Sequence, residues 1–308
     1  MRATFSRAIV AAAQADPRVV LLTGDHGYAL FDDFRRAVPH QFINAGVSEQ
    51  NMVGVAAGLA KAGFCPIVYG LSAFVPVRVL EQIKLDVCYE QLPVVFIGDG
   101  AGVVYSTLGG SHQSLEDIAV LRALPNIDIL SPADAWEMHY AMTHALRSKR
   151  PVYVRMGKAD LGDVHQQPVS APIGALLELR PQAKNDVAFI ATGSLVKTAL
   201  ALSDSVRGAS VWSVPSIVPI CRVQVESIGR AAKTLVVLEE HSAAAGLGSL
   251  IAEITSEMTD IRPRVVRLGA DARFSEYCGS YQYLLKEHRI DLESLRVRLA
   301  EKGIDCDY

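Results

Sequence analysis

Cysteine is scarce here and never clustered. Cys65, Cys88, Cys221, Cys278 and Cys306 are scattered along 308 residues, and no CxxC occurs. That spacing excludes a zinc site and a disulfide scaffold and fits a reducing cytoplasm. No apolar run reaches the ~20 residues that cross a bilayer. The net charge is only -3 and there is no long basic run, so no nucleic-acid footprint is visible. The dinucleotide fingerprint GxGxxG is missing, as is any repeat of about 20–50 residues. The N-terminal MRATFSRAIVAAAQADP carries two arginines but lacks a continuous apolar core. It continues a helical pattern and is read as the first helix rather than a targeting segment.

What is present is largely apolar. Half of the residues are hydrophobic, enough for a sizeable core, and the length suits one large domain or two ordinary ones. Runs at 18–22, 66–69, 93–97, 127–130 and 151–155 read as buried strands, with helices at 31–38, 76–90, 113–123 and 133–148. Residues 157–184 lose this rhythm, are polar and carry Pro168, Pro172 and Pro181. A second alternation follows, with strands at 187–191, 209–214, TLVVLEEH and 264–269, and a charged helical tail over the last 30 residues. Alternation of this kind predicts an α/β protein of two domains, each a mainly parallel sheet flanked by helices. The boundaries are 1–160, a linker at 161–184, and 185–308.

Ligands of such sheets bind at the carboxyl edge, so the loops after strands carry the candidates. The stretch FINAGVSEQNMVGVAAGLAKAG, starting at Phe42, reads as strand, turn and helix. Ser48 is the expected N-cap, and Glu49 falls in the first turn, where the positive end of the helix dipole favours a carboxylate. Glu49 either completes the helix start or serves a ligand. Asp25, in TGDHG, either closes an Asx-type turn or presents a carboxylate at the edge, with His26 beside it. Phe74, in YGLSAF, packs in the core or stacks on a flat heterocycle. His112, in STLGGSHQSLED, is structural, or donates to an anionic oxygen or shuttles a proton. Arg155 makes a surface ion pair or grips a phosphate or carboxylate. The segment LEEHSAAAGLGSL has no ligand spacing for a metal and reads as tight packing at a subunit contact.

Taken together, GVSEQNMVGVAAGLA, SAF ahead of RVLEQIKLD, and GGSHQSLEDIAVLRALPN with SPAD behind it resemble the pyrimidine-binding domain of transketolase. VVLEEHSAAAGLGSL resembles the C-terminal domain of the same family. The resemblance is collinear over nearly the whole chain, and the family's N-terminal diphosphate-binding domain has no counterpart. It implies one half of a split transketolase, moving a two-carbon ketol unit from a ketose phosphate to an aldehyde through thiamine diphosphate. Glu49 would then bond N1′ of the aminopyrimidine and favour the imino tautomer that takes the thiazolium proton. Phe74 would stack on the pyrimidine, and Asp25 would lie near the cofactor. His112 and His26 would contact the substrate, and Arg155 would grip its phosphate.

Related enzymes clamp magnesium and diphosphate with GDG and a downstream Asn. Here GDG at 98–100 opens a Gly-rich loop and Asn126 precedes a strand, so the pair reads as coincidence. No metal ligand is therefore expected on this chain; Mg2+ and the diphosphate would sit on an N-terminal-half partner subunit, in a heterotetramer. Leu108, four residues before His112, stands where the family has aspartate, and a family histidine near Gly98 is missing. A less polar wall there suits a deoxy or otherwise modified ketose. The competing readings are the β chain of a 2-oxo acid dehydrogenase, a deoxyxylulose phosphate synthase and a non-catalytic partner.

Overall fold

The computed structural model describes residues 1–27, 29–181 and 186–306. Its strands are β1 (Val19–Thr23), β2 (Phe42–Asn44), β3 (Cys65–Leu71), β4 (Val95–Asp99), β5 (Asp128–Leu130), β6 (Val152–Met156), β7 (Leu177–Arg180), β8 (Val187–Ala191), β9 (Ser210–Ser213), β10 (Ser216–Val218), β11 (Thr234–Ser242) and β12 (Arg264–Ala270). They form a seven-stranded sheet, β10-β5-β6-β4-β3-β1-β2, and a five-stranded sheet, β12-β11-β8-β9-β7. The β10–β5 and β7–β9 pairs are antiparallel, and the other pairs are parallel.

Every residue of β1, β4 and β6 is buried, which explains why their sequences are apolar without alternation. Helices cover both faces. Phe5 and Ile9 of helix Arg2–Ala15 pack with Met138 and Met142 of helix Ala135–Ala145 on one face. Met52, Val53 and Ala56 of helix Glu49–Lys61 pack with Ile83 and Val87 on the other. Truncating a buried Met in such a layer to Ala costs ~2–5 kcal/mol.

Several expectations need correction. The helix predicted over 76–90 is a 3-10 turn at Val77–Val79, one α turn at Leu80–Gln82 and a π-type stretch at Ile83–Cys88. The wider turn puts Ile83, Val87 and Cys88, four and five residues apart, on the core side. The helix expected at 113–123 shortens to Asp117–Arg122, preceded by a 3-10 turn at Gly110–His112. The expected linker is not structureless, because β7 falls inside it and adds to β9; its positions 182–184 lie outside the described residues. The charged C-terminal segment is helical as expected, at Tyr281–Glu287 and Leu292–Glu301, and it is packed down rather than free. Leu284, Leu285, Ile290, Leu295 and Leu299 are buried against the second sheet. Finally, β10 leaves the second alternation to pair with β5, so a strand from the second half of the chain completes the first sheet.

Candidate active site

In a parallel sheet all strand exits lie at one edge. β1 delivers Asp25 and His26 there, β2 leads to Glu49, β3 to Phe74, and β4 to the loop that carries His112. Gly46, at φ +67, turns the chain between β2 and the helix, and the Asn44 side chain accepts its N–H at 2.9 Å. Ser48 holds the N-cap position, but its hydroxyl makes no capping bond, contrary to expectation. Glu49 follows in the first turn and is only 4% exposed.

Arg78 organises these groups, and the sequence reading passes it over. Its Nη1 donates to Glu49 Oε2 at 3.1 Å. Its guanidinium carbon stands 4.0 Å from the centroid of the Phe74 ring. Phe74 in turn meets the His112 ring edge-on, with centroids 5.3 Å apart. Glu49, Arg78, Phe74 and His112 thus form one continuous row. A signal for Arg78 exists in the sequence: it follows Phe74 by four residues, the reach of one helical turn.

His26 points into the same edge. Its Nε2 is buried without a hydrogen-bond partner, and its ring lies 6.1 Å from that of Tyr69. Burial lowers its pKa, against the pull of the Glu49 and Asp25 charges, which favours the neutral imidazole. Asp25, on the same turn, is exposed. Ser111 Oγ and His112 Nδ1 are 3.0 Å apart, which orients the half-buried His112 ring. Leu108, 51% exposed, caps the outer side of the same loop.

Asp99 of the GDG sequence is occupied within the chain. Its Oδ2 accepts from Tyr69 at 2.7 Å, from Tyr105 at 2.8 Å and from Arg2. Asp99 ends β4, whereas Asn126 precedes β5, so the two lie at opposite edges of one sheet. Asn126 donates instead to the Cys88 carbonyl at 3.3 Å.

Arg155 is not at the open edge. It is 2% exposed, with Nε on Asp117 at 2.7 Å and Nη2 on the carbonyls of Glu240 at 2.8 Å and Ser114 at 3.3 Å. With three acceptors inside the protein and no solvent path, the side chain is not presented to a phosphate. The segment after Leu238 packs tightly within the chain. Glu239 accepts from Leu247 N at 2.7 Å and Gly248 N at 2.9 Å, capping helix Leu247–Ser256. Glu240 reaches across to the loop after β4, and His241 to the helix Asp117–Arg122 that follows it.

Residues 1–163 match the family of the transketolase pyrimidine binding domain. The chain belongs to the transketolase family. Residues 177–295 match the transketolase C-terminal domain. An apulose-4-phosphate transketolase subunit of Phocaeicola vulgatus is 35% identical over 83% of this chain and 83% of its own. The 6-deoxy-6-sulfo-D-fructose transketolase subunit SqwH of a Clostridium species is 30% identical over 98% of this chain and 94% of its own. Among solved structures, a split gene transketolase described as an inactive beta4 tetramer matches with a TM-score of 0.85 and 31% identity, covering 98% of this chain and 97% of that one.

Transketolase membership implies thiamine diphosphate as cofactor. The site fits the pyrimidine end of that molecule: a buried first-turn carboxylate, an aromatic face, and an orphaned His26 nitrogen stand at one edge. Among the described residues no group of three or more His, Cys, Asp or Glu could hold a metal ion, and no helix is long and apolar enough to cross a membrane.

Proposed function

We propose that this chain is the pyrimidine-binding subunit of a split transketolase, passing a two-carbon ketol unit from a ketose, phosphorylated or otherwise modified, to an aldehyde. The row Glu49–Arg78–Phe74–His112 carries the reading. Thiamine diphosphate, when bound, supplies the carbon acid that takes up the two-carbon unit. The chain's own groups do the rest. Glu49 accepts from or donates to N1′ of the aminopyrimidine from a site where the helix start favours its charge. Arg78 must first leave the Phe74 face. Its side chain is 45% exposed, so water replaces its bonds on the arginine side when the ion pair is released. Phe74 then offers its ring to the heterocycle. His112, and His26 with its unbonded Nε2, are placed to donate to or accept from substrate hydroxyls. Asp25, exposed on the His26 turn, belongs to the cofactor side of the edge.

The remaining parts of the reading follow from what this chain has at hand. The division at 1–160 and 185–308 follows the two alternations of the sequence, with β7 before the second unit and β10 lent from it to the first sheet. The diphosphate and Mg2+ are assigned to an N-terminal-half partner subunit in a hetero-oligomer; the neighbour described as a split gene transketolase supports that arrangement. Five cysteines scattered along the chain with no CxxC suit a reducing cytoplasm. Leu108 presents an apolar wall beside His112, which favours a deoxy or modified ketose. One relative's name specifies such a sugar, 6-deoxy-6-sulfo-D-fructose.

The test is reconstitution with the diphosphate-binding partner, followed by a screen of ketose donors. Glu49→Ala should keep its unfolding transition and lose two-carbon transfer by at least ~100-fold. The isolated chain should bind thiamine diphosphate weakly. Full transfer by the folded Glu49→Ala variant would end the proposal, and tight magnesium-dependent binding by the isolated chain would remove the partner from it. Xylulose 5-phosphate outranking every deoxy or modified ketose would remove Leu108.

A further inference from the structure

A buried polar assembly on the seam between the two sheets is left unused by these roles. At its centre is Glu240 of β11, 1% exposed. Its Oε1 accepts from the N–H of Val103 at 2.8 Å, across 137 residues of sequence. Its Oε2 accepts from Tyr281 at 2.7 Å and from Ser194. Its carbonyl takes one bond of Arg155, whose Nη2 also reaches Ser114 O. Asp117 balances the Arg155 charge and accepts from Tyr153 at 2.8 Å. Burial pushes the Glu240 carboxyl up in pKa, and the donors around it pull the other way.

These bonds converge on a clasp. Gly102 and Ser114 exchange two backbone hydrogen bonds of 2.9 Å, closing residues 103–113 into a loop. His112 stands two positions from that closure. Ser114 also donates through Oγ to Ser72 O at 3.1 Å, two residues before Phe74. One clasp therefore sets both aromatic groups that meet at 5.3 Å. Gly102 has φ +77, and a Cβ there would overlap the Glu240 carboxylate, so the clasp and the carboxylate are built against each other. The zipper continues past the clasp: Leu115 O accepts from Ser242 N at 2.8 Å, and His241 Nε2 from Ala119 N at 3.3 Å.

We infer that Glu240 is a positioning residue: reaching from the second sheet, it holds the Gly102–Ser114 clasp and so sets His112 against Phe74. This rests on the reading of His112 as a substrate-contacting group. It gives the C-terminal domain a task in catalysis although Glu240 touches no reacting atom. The physical logic is that a loop of small residues (Gly109, Gly110, Ser111) cannot by itself hold an imidazole to the ~0.5 Å that a reacting geometry requires.

The experiment compares Glu240→Ala and Glu240→Gln, alone and combined with His112→Ala, in the complex with the partner subunit. Glu240→Gln keeps an acceptor for Val103 N and should stay within ~3-fold of the parent. Glu240→Ala should lower kcat about 10- to 100-fold. In the His112→Ala background the same change should cost less than ~3-fold, because the group it positions is gone. Hydrogen exchange on the isolated chain should show residues 103–113 exchanging faster in Glu240→Ala, with β1, β4 and β8 protected as before. Equal losses in both backgrounds, or lost protection across both sheets, would overturn the inference. Tyr281→Phe, which loosens the carboxylate without removing it, supplies the same cycle if Glu240→Ala does not fold. Should the parent complex show no two-carbon transfer, the functional reading falls, and the exchange data still decide whether Glu240 holds the loop.

Discussion

The open edge of the first sheet and the seam behind it are built from the same residue types. Each has an arginine, a carboxylate, an aromatic ring and a histidine. At the edge, Arg78 and Glu49 are 45% and 5% exposed; in the seam, Arg155 and Asp117 are 2% and 0% exposed. The difference in water access reverses what the pairs are for. In an ion pair with one wet partner, water can take over that partner's bonds, so the pair can be exchanged for a ligand. A sealed pair gains little net stability, but losing one partner strands a charge at ~3–5 kcal/mol, so it cannot be exchanged. The edge is built to be taken apart and the seam to stay closed.

The largest break of this comparison is Arg155→Met. It leaves Asp117 buried without its counter-charge, and the unfolding free energy should fall by about 3–5 kcal/mol in urea titrations. A variant as stable as the parent would erase the distinction between seam and edge.

Glu137 is an intermediate case, sealed like Asp117 but with His165 no nearer than 3.7 Å. Burial raises its pKa to about 7, against the pull of the Ser213 and Ala133 bonds. The folded value lies above the ordinary 4.5, so the fold binds more protons than the unfolded chain between them. This contribution is fully present below about 4.5 and is lost as pH rises through about 7. Glu137→Gln should remove on the order of 1–3 kcal/mol of that decline between those pH values, read from urea midpoints. A residual slope should persist from His165, whose pKa is raised by Asp134 despite burial. An unchanged slope in Glu137→Gln would show that the carboxyl titrates as if exposed.

The smallest expected effect is at the edge itself. Arg78→Ala should change stability by less than ~2 kcal/mol, between an exposed pair and a sealed one, while uncovering Glu49 and Phe74. A loss above ~2 kcal/mol would mean that the edge pair is as structural as the seam pair.

Much of the edge is legible in the residues. Asp25, His26, Glu49, Phe74 and His112 each follow a run of β-like apolar sequence, and parallel pairing sends all such exits to one edge. Arg78 is hidden because the stretch after Pro76 reads as a plain amphipathic helix, whereas it opens on a 3-10 turn at Val77–Val79 that carries Arg78. Arg155 is visible at a strand end, but its sequence neighbourhood does not reveal that another sheet covers it. LEEH is visibly polar and unusual, with its partners out of sight.

The main alternation of strands and helices, the two-sheet architecture and the strand-end positions of Asp25, His26, Glu49, Phe74 and His112 were written in the sequence, because periodicity and turn chemistry act over a few neighbouring residues; β7, β10 and the place of Arg78 were not. Which arginine stays available and which is sealed was decided by tertiary structure alone. That choice depends on solvent access, and solvent access at Arg155 is set by Glu240, 85 residues further along the chain.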